Sequence, residues 1–166
     1  MVNRSIGRLK NIRPTLLITC SFLVIIMLGT NDAYASRCTT PELLAEFKRD
    51  YKALIDEYQA LETEPVILLA LPPYCYDVSD QRQSNLENYI MPAIREIAEE
   101  YGLDLIDMNT FTTGHADWFP DTLHPSATAY TQIAEEFSEY ILQGKLDSET
   151  NGGGNDVTLD DLLGNN

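Results

Sequence analysis

The chain has 166 residues, 44% of them apolar, and a formal net charge of −15. That length suits one domain with a real buried core. The acidity argues against nucleic acid or anionic membrane as a partner, because both are recognised through basic patches.

The charge is unevenly placed. Arg4, Arg8, Lys10 and Arg13 are the only charged residues among the first fourteen, so the balance from residue 15 onward is 7 minus 26, or −19. Residues 16 to 28 are nearly all apolar, which is short for a membrane-spanning helix. The stretch "VIIMLGTNDAYAS", residues 24 to 36, has two incompatible readings. It can close a secretory signal with a small-residue cleavage site at Ala33-Tyr34-Ala35, which would leave a small secreted acidic protein starting at Ser36. It can instead be a buried strand that delivers Gly29, Asn31 and Asp32 to a site, and this second reading is the one adopted here.

Downstream, residues 40 to 61 show an amphipathic helical period in Leu43, Leu44, Phe47, Tyr51, Leu54, Ile55 and Tyr58. Thr40 before Pro41 is a suitable start, with a Thr39/Glu42 capping box as the alternative. "VILLAL", residues 66 to 71, is a short apolar run stopped by Pro72-Pro73 and reads as a buried strand. A helix is expected from about Ser84, capped with Glu87, to Tyr101 and Gly102, kinked or divided at Pro92. "LDLIDM", residues 103 to 108, is the next strand. A helix follows Pro125 with Tyr130, Ile133, Ala134, Phe137 and Ile141 facing inward and Gly144 as its stop. From Ser148 the Gly-, Asn- and Asp-rich sequence reads as a disordered tail.

Alternating strands and helices predict an α/β fold: a parallel sheet flanked by helices in three α/β/α layers. The expected divisions are a basic and apolar segment at 1–21, the α/β domain at 22–146 and the tail at 147–166. Sites in such folds lie at the C-terminal ends of the strands. That places three candidate regions: Gly29 to Asn31, Pro72 to Tyr76, and the loop from Asn109 to His124.

The last loop contains "DWFPDTLHPS", residues 117 to 126. An imidazole at His124 can act as a general base near neutral pH, and a carboxylate at Asp121 can bond its other ring nitrogen. On its own the spacing also occurs in ordinary loops and helix caps. In "GTND", the Asn31 amide can donate to a developing oxyanion, although Asn and Asp are equally common turn residues. His115 and Trp118 share the loop with the Asp-His pair and either line its pocket or pack the loop. Tyr74 and Tyr76 are placed at the border of the same pocket. Cys20, Cys38 and Cys75 are an odd set without C-x-x-C spacing. Three unpaired thiols are expected, with a Cys38–Cys75 bridge as the alternative for a secreted chain. The histidines and cysteines have no ligand spacing, so neither metal nor organic cofactor is expected.

Together, "VIIMLGTND" and "DTLHPS" resemble the Gly-x-Asn-Asp and Asp-x-x-His blocks of the SGNH (GDSL-type) hydrolases. "PAIREIAEEYGLDLIDMNTFTTGHADWFPDTLHPSATAYTQIAEEF" resembles their sialate O-acetylesterase-like branch, and the likeness covers roughly residues 22 to 142. It implies ester cleavage by a Ser-His-Asp mechanism, with small-molecule or carbohydrate O-acyl esters as substrates. His124 would be the base, Asp121 its orienting acid and Asn31 an oxyanion donor, with Gly29, Asp32, His115 and Trp118 shaping the site.

The chain departs from the family in having no Gly-Asp-Ser stretch and no recognisable upstream glycine block. No nucleophile is assigned. Ser5 is not preceded by Gly-Asp, Ser21 lies in the apolar run, and Ser126 reads as a helix cap. The expectation is a sheet incomplete on its N-terminal side with an open edge, and a chain inactive alone, from a truncated or misassembled gene model. A binding module using the same pocket is the alternative.

Overall fold

The structure, a computed structural model, describes residues 23–78 and 81–143. The expected segments at 1–21 and 147–166, Cys20 and the Gly144 stop lie outside the described residues. Three strands form one parallel sheet in the order β1 (Leu23–Ile26), β2 (Val66–Ala70) and β3 (Asp104–Ile106). Leu23 pairs with Val66 and Leu68 with Asp104. Among the described residues β1 and β3 are the sheet edges, and Ile25 is one of the exposed large apolar side chains.

Alternation along the strands sends side chains to opposite faces, so both faces of this sheet need a cover. Ile26, Ile67, Leu69 and Leu71 pack on one side with Phe47, Tyr51 and Ile55 of α1 (Pro41–Gln59) and with Ile94 and Ile97 of α3 (Met91–Tyr101). Leu68, Ala70 and Ile106 face the other side, against Ile133 and Phe137 of α5 (Ala127–Leu142). The result is the three-layer α/β/α arrangement that the alternation of apolar runs and amphipathic segments predicts.

Thr40 caps α1, accepting from the Leu43 N–H at 3.3 Å, so Pro41 occupies the first turn where its missing N–H costs nothing. Tyr51 on this helix is fully buried and donates from its hydroxyl to the Ile26 carbonyl at 3.3 Å, fixing the end of β1. Burial pushes the Tyr51 phenol well above its ordinary range.

The helix expected from Ser84 begins earlier, as α2 (Arg82–Asn85), after Gln81 in a left-handed conformation. Ser84 therefore lies inside the helix and the Ser84/Glu87 capping box does not form; the Ser84 hydroxyl instead accepts from Asn88. Before Pro92 the backbone widens into a π-turn, Leu86–Ile90, and then continues as α3. Proline has no N–H for the preceding turn and its ring crowds that turn's carbonyl, so a local widening accommodates it. Gly102 ends the helix at φ 61°.

β3 is three residues long, shorter than the expected 103–108. Asp107 ends it by capping α4 (Met108–Thr112), accepting from the Thr110 N–H at 2.9 Å. On α5 the inward face is Ala129, Ile133 and Phe137. Tyr130, expected to face inward, is 56% exposed, and Ala134 is exposed as well. The layer beneath the helix admits one narrow stripe, and Tyr130 falls on the other side of it. Cys38 and Cys75 are both buried and are not bridged to each other.

Candidate active site

β1 leads into a tight turn whose geometry depends on Gly29. Its carbonyl accepts from Asp32 N at 3.1 Å and from Ala33 N at 3.0 Å, and its φ is +125°. A side chain there would also have no room, since an ideal Cβ would lie 2.6 Å from Ile90 Cγ2. The turn exposes Asn31 and turns Asp32 inward. The Asp32 Oδ2 atom is buried with no hydrogen-bond partner among the described residues. Burial raises its carboxyl above the ordinary value, a shift that nearby Arg37 opposes. The same carboxyl and, more strongly, burial raise the Cys38 thiol to about 11, which makes Cys38 a poor nucleophile at neutral pH.

The Asp121–His124 turn is compact. One carboxylate oxygen, Asp121 Oδ1, accepts from Leu123 N at 3.0 Å and from His124 N at 2.6 Å. The other, Oδ2, lies 2.6 Å from His124 Nδ1. These bonds favour the ionised form, and the Asp121 carboxyl is lowered to about 2, first by the His124 backbone N–H, then by the His124 ring and the Leu123 N–H. With Nδ1 engaged by Asp121, Nε2 is the ring nitrogen left for chemistry. Both side chains are open to solvent, at 73% exposure for His124 and 56% for Asp121.

Because the folded carboxyl titrates below its ordinary 3.8, its bonds stabilise the fold above that pH and are lost as pH falls toward about 2. The difference in thermal midpoint between wild type and Asp121→Ala is therefore expected to shrink as pH falls below about 4. A difference independent of pH down to about 2 would contradict the ionised, multiply bonded carboxylate.

His124 and Asn31 line a single cleft of about 170 Å³ at the C-terminal ends of the strands, with Thr30, Tyr74, Cys75 and Tyr130 also on its walls. The structure thus brings together residues 27–31 after β1, 73–75 after β2, and the 123–130 segment leading into α5. Asp121 reaches the cleft through His124.

His115 and Trp118 are not on the cleft walls. Their rings stack on one another at 4.0 Å, and Trp118 meets Phe111 at 5.9 Å, so they pack the loop. Tyr76 is a brace: its hydroxyl donates to the Thr112 carbonyl and accepts from the His115 N–H, each at 2.8 Å. Ser126 caps α5, its hydroxyl accepting from Ala129 N at 3.2 Å.

Several residues that hold the cleft were not legible in the sequence. Asn109, buried, donates to the Pro72 carbonyl at 3.0 Å and accepts from Gln83 at 3.0 Å. Gln83 in turn accepts from Cys75 N at 2.9 Å. Thr112 Oγ1 accepts from Tyr74 N at 2.8 Å. Asn85 Nδ2 donates to the carbonyls of Ala33 at 2.8 Å and Ala35 at 2.6 Å, tying the turn after β1 to α2. Apart from the Cys75–Gln83 bond, eight positions apart, these contacts join positions 26 to 52 apart in the chain, so no local spacing announces them. Asn85→Ala leaves the two carbonyls without this donor and is expected to cost about 1–3 kcal/mol in chemical denaturation. A change under about 0.3 kcal/mol would show that the turn holds itself.

The profile of the GDSL-like Lipase/Acylhydrolase family matches residues 1–132. The chain belongs to this family. The GDSL-like chain shares its fold with solved structures at low identity. An acetyl xylan esterase is similar with a TM-score of 0.58 at 19% identity, over 72% of this chain and 67% of that one. A second solved chain is similar with a TM-score of 0.61 at 16% identity, over 86% of this chain and 73% of that one. No curated protein sequence matches. Family and fold together make this an acyl-ester hydrolase-type domain. Among the described residues no helix is long and apolar enough to cross a membrane.

Proposed function

We propose that the cleft is the acyl-ester site of this GDSL-like domain and that His124 is its general base. The observation that carries this is the 2.6 Å Asp121 Oδ2–His124 Nδ1 contact at the edge of a cleft shared with Asn31. In the proposed step, His124 Nε2 takes the proton of a hydroxyl as its oxygen attacks the ester carbonyl carbon. Asp121 stabilises the imidazolium, and the Asn31 amide donates to the carbonyl oxygen as it gains charge. The imidazolium then returns the proton to the leaving alcohol as its C–O bond breaks.

The hydroxyl is the part this sequence does not assign. There is no Gly-Asp-Ser stretch, and Ser126, next but one to His124, is engaged as a helix cap. The 166-residue chain is therefore proposed to bind an acyl ester without an efficient covalent step of its own, since acyl transfer needs an activated nucleophile.

The proposed substrate class is a short O-acyl ester, acetyl first, carried on a carbohydrate. The cleft is smaller than the roughly 300–1,000 Å³ typical of larger ligands. Tyr74 and Tyr130 on its walls are aromatic residues of the kind that pack against sugars. The fold similarity to an acetyl xylan esterase points the same way.

The test is a titration of the chain with O-acetylated xylobiose, following backbone amide resonances and free acetate in the same tube. Shifts confined to Asn31, Tyr74 and the 123–130 segment, without acetate release, are the expected result. Acetate release abolished by His124→Ala would place a working nucleophile in this chain. Absence of shifts at these positions at high millimolar ligand would remove the proposed site.

A further inference from the structure

Thr122 sits between the two members of the pair with a φ of +66°. Few non-glycine residues adopt this left-handed conformation, and a β-branched side chain is the least suited to it. Its peptide groups are tied on both sides. Thr122 N donates to the Phe119 carbonyl at 2.9 Å, and Thr122 O accepts from Tyr76 N at 2.9 Å. The hydroxyl donates to the Asp121 carbonyl at 2.6 Å. Phe119 is buried and its ring lies 5.4 Å from that of Tyr76, so both anchors belong to packed structure. Strain of this kind persists only where its surroundings over-determine the backbone.

We infer that Thr122 is a positioning residue for the Asp121–His124 pair: its left-handed backbone, clamped between Phe119 and the Tyr76 segment, reverses the chain so that one Asp121 carboxylate meets the Leu123 and His124 N–H groups and the His124 ring together. Right-handed backbone also lets a carboxylate accept from N–H groups two or three positions on, as Asp107 does from Thr110 at the start of α4, so what the left-handed Thr122 sets is the direction in which Leu123 and His124 leave the Phe119 and Tyr76 anchors. The hydroxyl bond to Asp121 O offsets part of the conformational cost of threonine here. Glycine adopts positive φ freely, so it satisfies the same geometry without strain, whereas proline, fixed near −65° and without an N–H, cannot.

This inference rests on the proposed role of the pair, and its test separates the two. The carboxyl carbon of Asp121 is titrated by NMR in the full 166-residue chain, and the low-field proton of His124 Nδ1 is recorded, for wild type, Thr122→Gly and Thr122→Pro. Wild type is expected to titrate at about 2 with the Nδ1 proton visible. Thr122→Gly is expected to keep both signals and to melt at a higher temperature. Thr122→Pro is expected to lose the Nδ1 proton and to titrate near the ordinary 3.8. If the proline variant does not fold, Thr122→Val replaces it; it keeps the N–H but lacks the hydroxyl, and its midpoint is expected to rise part of the way. Proline or valine variants that match wild type, or a glycine variant that loses both signals, would overturn the positioning role and leave the pair intact. An ordinary carboxyl midpoint with no Nδ1 proton in wild type would show that the pair itself does not form, and would overturn both readings.

Discussion

In any form of this protein that hydrolyses 4-nitrophenyl acetate, His124→Ala is expected to lower kcat by about 100- to 10,000-fold, the range associated with a positioned general base. The effect should fall on kcat rather than on KM, because the imidazole acts on a proton in flight while the acyl group is held by the cleft walls. Asp121→Asn is expected to act in the same direction. An amide nitrogen in place of Oδ2 cannot accept from the Nδ1 proton, so the ring loses the tautomer that leaves Nε2 free as a base. The two losses should not add, since both remove the same base. Near-normal turnover in His124→Ala would withdraw the assignment of the cleft as an ester site.

Gly29→Ala is expected to be the most damaging small substitution for stability. The added Cβ meets Ile90 Cγ2 at 2.6 Å, Pro72 Cγ at 3.4 Å and Ile94 Cδ1 at 3.6 Å, all side chains packed beneath the turn. Ile90 and Ile94 are fully buried in the core shared with α1, where close packing leaves little room to yield. The φ of +125° is itself unfavourable for any residue with a side chain. Overpacking and backbone strain together imply a loss on the order of 3–5 kcal/mol in urea unfolding. Any folded fraction should carry Asn31 displaced from the cleft, visible as a shifted Asn31 side-chain amide resonance. A loss of less than about 1 kcal/mol would mean that the turn can re-form around an alanine.

These two residues also mark how far local sequence carried the reading. The Asp121–His124 pair was legible because every bond that builds it lies within a four-residue turn. Gly29 and Asn31 were legible because an apolar run ends there in turn-forming residues, and sheets of this class place their sites at such strand ends. The strand at 66–70 announced itself as an uninterrupted apolar run, and α1 and α3 as amphipathic periods with Thr40 and Gly102 at their limits.

Local rules left His115 and Trp118 open between the pocket and loop packing, and the structure shows their rings stacked on each other with Trp118 against Phe111. The same rules failed at Tyr130 and Ser84. Tyr130 fits the helical period of an inward residue, yet the narrow stripe beneath α5 leaves it on the cleft rim. Ser84 has the spacing of a capping box, but the helix starts two residues earlier, and the Asn85 side chain then reaches Ala33 and Ala35 across fifty residues of chain.

By itself, then, the sequence determined the α/β class, the order of its elements and the pairing of Asp121 with His124. Hydrophobic periodicity and short-range hydrogen bonds depend only on neighbours along the chain. Only the tertiary structure decided that Gln83, Asn85, Asn109 and Thr112 brace the rim of the cleft that Asn31 and His124 share, and that Thr122 takes a left-handed backbone. Each of those outcomes depends on groups brought together by the packing of helices on both faces of the sheet, and no spacing in the sequence encodes that proximity.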